Sequence, residues 1–149
     1  MDQINLKYLI SNYIVLKMSS ETKVNGYNLK PSDFTMNGNG TLAIKKNKIN
    51  GSPGMLLIYA NWCGHCVRFK PTFNKIHNKI GEDFAMASIE HGDFEKDSRF
   101  IKLLNFRGYP SIKFFDQQGN IIGDYSGDRD DSAILNHICK VYHHCMLER

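Results

Sequence analysis

Two cysteines separated by two residues, Cys63 and Cys66, are the part of this sequence best suited to do chemistry. They follow an apolar run over residues 55–60 and precede apolar residues with helical spacing. A thiol at a helix N-terminus faces unpaired N–H groups and the positive end of the helix dipole, so it ionises more readily. A strand, then Cys-x-x-Cys, then a helix therefore predicts a site of dithiol–disulfide exchange.

Two other interpretations of a Cys-x-x-Cys pair are disfavoured. A zinc site needs two further ligands at matching spacing, and the other cysteines, Cys139 and Cys145, lie far along the chain in a C-terminal helical pattern. An inert structural disulfide does not require Trp62 before the pair or Gly64-His65 inside it. We therefore expect no metal and no organic cofactor at this site.

Three segments carry a resemblance to a known family. Residues 59–66, Tyr-Ala-Asn-Trp-Cys-Gly-His-Cys, resemble the active-site signature of the thioredoxin superfamily, and the Gly-His pair is closer to protein disulfide isomerase catalytic domains than to thioredoxin, which has Gly-Pro. Residues 106–115, Phe-Arg-Gly-Tyr-Pro-Ser-Ile-Lys-Phe-Phe, are similar to the isomerase segment with the family's cis-proline. Residues 125–129, Tyr-Ser-Gly-Asp-Arg, resemble a third landmark before the last helix. The resemblance covers roughly residues 32–145.

The resemblance implies an α/β, thioredoxin-like fold with a central mixed β-sheet flanked by helices. It also implies a division of the chain into an N-terminal extension over residues 1–31, made of an amphipathic segment and a linker, and a thioredoxin-like domain over residues 32–149.

The resemblance also assigns roles in the chemistry. Cys63 is expected to be the nucleophile, and Cys66 the resolving thiol that attacks the mixed disulfide and releases the substrate. His65 is expected to favour the Cys63 thiolate and make the site more oxidising, with an exposed bystander as the alternative. Arg107 matches an isomerase arginine that swings towards the resolving cysteine and lowers its pKa, with an ordinary surface arginine as the alternative.

Four residues are expected to contact substrate: Trp62, Gly64, Tyr109 and Pro110. Pro110 is expected to follow a cis peptide bond and to expose the Tyr109 backbone to an extended substrate, which would bind as an added strand. Trp62 is expected either to cover the site or to be a purely structural aromatic residue.

The implied partners are protein substrates with cysteines or disulfides and an unidentified thiol/disulfide electron partner. We expect no nucleic acid and no integral membrane span.

The sequence departs from the family at Leu57. A buried acid, which accepts the proton of the resolving cysteine, normally lies six residues before the first cysteine, and residues 55–61 contain no acid. The family's isomerases pair that acid with a lysine on the next strand, where Ser88 is expected here. Loss of both partners together makes structural sense, because removal of one alone leaves a costly buried charge. We therefore expect slow release of substrate.

The elements that must position these residues follow from hydrophobic periodicity and turn signals. Residues 19–40 are expected to be linker and loop. The predicted order is strand, helix, strand, helix, strand, strand, helix, after a first strand at residues 41–49. The predicted strands are 55–60, 84–90, 111–116 and 120–125, and the predicted helices are 63–80, 94–105 and 131–146.

The last helix carries the remaining thiols. Cys139 and His143 are four residues apart and could hold half of a metal site, but buried or idle thiols are the favoured interpretation. Cys145 is expected to be a small core residue.

Composition fits one domain with a core: 149 residues, of which 42% are hydrophobic, and a net charge of +4. Residues 4–18 lack the basic start and unbroken apolar stretch of a signal peptide, and the C-terminus is not a retention signal. A cytoplasmic location is therefore favoured over the ER lumen, and heavy use of Asn, Ile and Lys suggests a viral or parasite source.

We expect a thiol–disulfide oxidoreductase or isomerase acting on protein disulfides; the alternative is a thioredoxin-fold binding or scaffolding module with slow or no turnover.

Overall fold

The computed structural model describes residues 9–10 and 22–147. The strands of this part are β1 (Tyr27–Leu29), β2 (Phe34–Met36), β3 (Leu42–Ile44), β4 (Gly54–Tyr59), β5 (Ala85–Glu90), β6 (Ser111–Phe115) and β7 (Ile121–Tyr125). Its α-helices are α1 (Gly64–Lys79), α2 (Ser98–Leu104) and α3 (Asp131–Tyr142). The main sheet has the order β1-β5-β4-β6-β7, and β2 pairs with β3 in a separate small sheet. Strands β1, β5 and β4 are parallel, whereas β6 and β7 are antiparallel to their neighbours. The predicted mixed sheet with flanking helices is confirmed.

Strand β4 lies at the centre of this sheet, and all six of its residues are buried. Because side chains alternate along a strand, β4 contributes to two hydrophobic clusters. Met55, Leu57 and Tyr59 pack in the cluster that contains buried residues of α1 and α3. Leu56 and Ile58 pack in the other cluster, with residues of α2 and of the β2–β3 sheet. Strand β4 is therefore packed on both faces, and this packing fixes the position of its end, from which the chain continues to the start of α1.

Helix α1 packs one apolar side against the face of the sheet that carries Met55, Leu57 and Tyr59, as the spacing of its apolar residues predicts. Its buried residues include Phe69, Phe73 and Ile76. Asp131 at the start of α3 binds Lys79 at 2.7 Å and Lys75 at 3.4 Å. These contacts hold α3 beside α1, and the hydrogen bond from Lys79 lowers the pKa of Asp131 to about 2.

The sequence interpretation is wrong at several elements. Residues 27–29 and 34–36, expected to be linker and loop, form β1 and β2. Strand β1 pairs with β5, so the main sheet includes residues that precede residue 32, where the domain was expected to begin. The strand expected at 41–49 ends at Ile44 and is followed by a short 3-10 turn, Lys46–Lys48.

Two helices are also shorter than their predicted ranges. Helix α2 begins at Ser98 instead of residue 94, because Asp97 caps it by accepting a hydrogen bond from the Phe100 backbone at 3.0 Å. Helix α3 ends at Tyr142, because His143 adopts a left-handed conformation. The predicted amphipathic segment at 4–18 lies outside the described residues except for Leu9 and Ile10. Within the described residues, no helix is long and apolar enough to cross a membrane.

Candidate active site

The two cysteines of the motif lie at the start of α1. Cys63 is the N-cap residue, and its sulfur accepts a hydrogen bond from the Cys66 backbone N–H at 3.4 Å. The Cys63 backbone N–H donates to the Ala60 carbonyl at 3.1 Å, which fixes the turn between β4 and the helix. Both thiols are free; Cys63 is 9% exposed, whereas Cys66 is 1% exposed. Cys63 is therefore the thiol that a partner molecule reaches first.

The surroundings of the two thiols move their pKa values in opposite directions. Burial raises the pKa of Cys63, but hydrogen bonds from Cys66 and from the His65 backbone, together with the charge of Arg129, outweigh it and lower the pKa below its usual value. Burial raises the pKa of Cys66 to about 12, and the neighbouring Cys63 sulfur adds to the rise against opposing effects of Ala60 and Arg129. Cys63 is therefore the thiol that ionises first.

The segment at residues 109–110 faces Cys63. The Tyr109–Pro110 peptide bond is cis, as predicted. The Cys63 thiol donates to the Tyr109 carbonyl at 3.6 Å, and the Arg129 guanidinium donates to the Pro110 carbonyl at 3.4 Å. Tyr109 and Pro110 line a groove of about 560 Å³, together with residues that include Arg107 and Arg129. The structure thus places the nucleophile candidate against the backbone carbonyl of a residue that lines this groove.

Three rings surround the entrance to the site. Trp62 is 70% exposed, and its ring meets His91 and Tyr109 edge-on at centroid distances of 5.5 and 5.7 Å. The His91 Nδ1 lies 2.7 Å from the Tyr109 hydroxyl, and its Nε2 lies 3.2 Å from Glu95. His91 holds the ring of the residue whose carbonyl contacts Cys63. Sequence reasoning missed it, because the contact joins segments distant along the chain.

The other predicted site residues lie close by with fewer contacts. His65 is exposed, and its Nδ1 lies 3.0 Å from the Arg68 guanidinium. Gly64 has room for a side chain, since the nearest atom to an added Cβ, on Arg68, is 3.8 Å away. Arg107 is exposed. Arg129, noted in the sequence only as part of a landmark, is the arginine whose charge acts on both thiols. The roles assigned to His65, Gly64 and Arg107 stay predictions.

The predicted position of Ser88 beside Leu57 is confirmed by the strand register. Leu57 on β4 and Ser88 on β5 are direct partners, and each is 1% exposed. The Ser88 hydroxyl donates to the Asn28 side chain at 3.0 Å. The position of the family's buried acid is therefore apolar and buried in this chain.

The prediction for the C-terminal cysteines is wrong. Cys139 and Cys145 form a disulfide, with their Cα atoms 4.3 Å apart, and Cys145 is exposed rather than part of the core. The cause is the end of α3: the left-handed conformation of His143 turns the chain back, so that Cys145 returns to the helix it has just left.

Comparisons with known proteins agree with this geometry. The Thioredoxin family model matches residues 41–140. A stretch of 93 residues is 32% identical to the probable protein disulfide-isomerase A4 of Caenorhabditis elegans, and covers 62% of this chain and 13% of that protein. Another match of 93 residues is 33% identical to protein disulfide-isomerase 2-3 of Arabidopsis thaliana, and covers 61% of this chain and 20% of that protein. The matched part thus spans a fifth or less of these relatives.

Solved structures share the fold. Human ERp44 aligns over 81% of this chain and 31% of its own, with a TM-score of 0.61 and 18% identity. The germline-specific thioredoxin Deadhead of Drosophila melanogaster aligns over 64% of this chain and 86% of its own, with a TM-score of 0.53 and 21% identity. With a family model that matches most of the chain and a mixed sheet that leads into Cys-Gly-His-Cys at a helix start, this protein belongs to the thioredoxin family.

Proposed function

We propose that this protein is a thiol–disulfide oxidoreductase or isomerase that acts on protein disulfides through Cys63 and Cys66. The observation that carries the proposal is the geometry at one helix N-terminus, where the Cys63 sulfur accepts the Cys66 backbone N–H and faces the Tyr109 carbonyl while Cys66 is buried behind it. The opposite directions in which the two thiol pKa values are displaced support it. A nucleophile needs a thiolate, and a resolving thiol must stay protonated until a mixed disulfide forms. The relatives named protein disulfide-isomerases support the same class of reaction.

The reaction has two sulfur displacements. The Cys63 thiolate attacks one sulfur of a client disulfide; the Cys63–client bond forms, the client disulfide breaks, and the leaving client sulfur takes the electron pair and then a proton. The Cys66 thiolate next attacks the Cys63 sulfur, forms the Cys63–Cys66 disulfide and releases the second client thiolate. The client gains two electrons that the protein loses. The reverse sequence oxidises a client, and release to a different client thiol isomerises it.

Tyr109 and Pro110 supply the proposed binding surface. An extended client segment beside Pro110 can hydrogen-bond to the Tyr109 backbone. The client sulfur would replace the contact that the Cys63 thiol makes with the Tyr109 carbonyl at 3.6 Å. Trp62 and Gly64 leave the approach to Cys63 open, since both are exposed.

An electron partner must restore the reactive state after each net turnover. Its reduction potential relative to that of the Cys63–Cys66 pair sets the direction of the reaction. The cytoplasmic location stays a prediction, and the Cys139–Cys145 disulfide counts against it, because such bonds persist mainly in oxidising compartments.

Leu57 favours a second function, a binding or scaffolding module that captures clients with slow or no turnover. With an apolar residue at a 1% exposed position, this acceptor for the Cys66 proton is missing. A captured client would then leave slowly.

A trapping experiment tests the proposal and separates the two functions. Cys66→Ser should accumulate a covalent mixed disulfide with an oxidised, disulfide-containing model protein, whereas Cys63→Ser, the matched control, should not. With reduced glutathione supplied as the electron donor, wild type should reduce or shuffle the same client over many turnovers. Covalent capture without turnover in wild type would favour the binding module, and absence of capture by Cys66→Ser would refute both.

A further inference from the structure

Lys70 is an unusual residue to find in the core. It lies on α1, and only 2% of its surface is exposed. Lysine is almost never fully buried without a compensating partner. The ammonium donates to the Asn61 side chain at 2.9 Å and lies 5.3 Å from the centre of the Tyr59 ring. The helix thus brings a positive charge under the loop that leads into the cysteine motif.

The position of Lys70 relative to Cys66 gives this charge a target. The two residues are four apart on α1, so they lie on the same face one turn apart. Titratable groups that face Lys70 include Cys66 on its own helix, Tyr59 on β4 and Glu90 on β5. Glu90 also accepts a hydrogen bond from the Asn61 backbone at 3.1 Å.

We propose that Lys70 is a positioning residue for the resolving step, in which its buried ammonium stabilises the Cys66 thiolate. The proposal rests on the function proposed above. Lys70 would supply a cation on α1 beside Cys66. The strand residues Leu57 and Ser88, which are paired on β4 and β5, supply no charged group there.

The balance of charges is consistent with this role. Burial lowers the pKa of Lys70, while the charges of the Cys66 thiolate and of Glu90 favour its protonated form. The interaction is reciprocal: a thiolate that favours the ammonium is itself favoured by it. When the Cys66 thiolate attacks the Cys63 sulfur, its proton has gone to water and Lys70 keeps its own.

The experiment follows the two displacements separately. Reduced protein is mixed with an aromatic nitrothiobenzoate disulfide, whose coloured thiolate is released once when Cys63 attacks and again when Cys66 resolves. Lys70→Gln keeps a donor for Asn61 but has no charge, and Lys70→Met keeps an unbranched apolar chain that suits the core. Lys75→Gln is the matched control, because Lys75 is on the same helix with a side chain that is 61% exposed. Denaturant melts establish that each variant is folded.

Both Lys70 variants should slow the second release about threefold near neutral pH and leave the first release unchanged. A rise of about one unit in the pKa of Cys66 lowers its thiolate fraction tenfold, and the stronger nucleophilicity of the remaining thiolate offsets part of that loss. The deficit should shrink as pH rises, because wild-type Lys70 loses its charge below the usual lysine value of 10.5. Lys75→Gln should match wild type at every pH.

An unchanged second release in a folded Lys70 variant would overturn the proposal. A deficit of constant size at every pH would also overturn it, since that indicates a structural role rather than a charge. Failure of wild type to release any coloured thiolate would refute the proposed function instead, so the two failures are distinguishable.

Discussion

Replacement of Leu57 by glutamate tests the feature that most separates this protein from its relatives. Leu57 is 1% exposed in the cluster beneath α1, so Leu57→Glu loses about 1.5–3 kcal/mol of apolar burial. A carboxyl group buried there without a partner costs a further ~1–3 kcal/mol even when it is protonated. Desolvation should raise the pKa of the new carboxyl above the usual value for glutamate, so that the group stays largely protonated at pH values near that usual value. The expected loss is about 2.5–6 kcal/mol, a large part of the ~5–15 kcal/mol typical of a domain.

The double variant supplies the missing partner. Ser88 is the direct strand partner of Leu57, so Leu57→Glu with Ser88→Lys places opposite charges side by side. It should recover part of the lost stability, although Ser88→Lys also removes the hydrogen bond to Asn28. The new acid should accept the Cys66 proton and speed the release of client. Leu56→Glu is the matched control, because it buries a carboxyl in the opposite cluster, away from Cys66. It should lose similar stability without faster release.

Urea melts of the variants measure the first effect, and single-turnover reduction of a model disulfide at several pH values measures the second. Release by wild type as fast as by the double variant would refute the reasoning, because another group would then already handle the Cys66 proton. A loss below about 1 kcal/mol in Leu57→Glu would show that the position is not dry and unpartnered.

Two further predictions concern the charges around the thiols. Arg129→Gln should raise the pH midpoint for alkylation of Cys63, by less than about one unit because Arg129 is exposed. Arg107→Gln should leave that midpoint unchanged and slow only the release of client through Cys66. The reverse pattern would exchange the roles of the two arginines. His65→Pro removes both a polar neighbour and a backbone N–H that bonds to the Cys63 sulfur, so the disulfide should become more stable and the reduction potential should fall by about 30 mV, a tenfold change in the equilibrium constant. An unchanged potential in glutathione titrations would make His65 a bystander.

Local signals and the family resemblance were enough to predict where the cysteine pair and the cis-proline of the candidate site lie. Cys63, Cys66 and Pro110 belong to short motifs, and the strand, turn and helix that carry the cysteines have strong periodicity. The match of Leu57 with Ser88 came from the resemblance to the isomerases, which pair an acid and a lysine at these two places, and the register of β4 with β5 makes the two residues direct partners.

Features that depend on distant contacts were not predictable. Strand β1 has three residues, too few for a pattern, and forms because β5 offers it an edge. A lysine in a helix is ordinarily exposed, so nothing local marks Lys70 as buried. The Cys139–Cys145 disulfide depends on the backbone conformation of one residue, His143, that ends α3 early.

The position of Trp62 at the entrance to the candidate site also gives the protein an intrinsic fluorescent probe. Trp62 is the one tryptophan in the sequence, so all indole fluorescence comes from the residue next to Cys63. Its ring is largely in solvent yet touches His91 and Tyr109 by their edges, and its emission is therefore sensitive to any shift of those neighbours. Oxidation of the thiol pair, or binding of a proposed client, is therefore expected to change this emission and can be followed without a label.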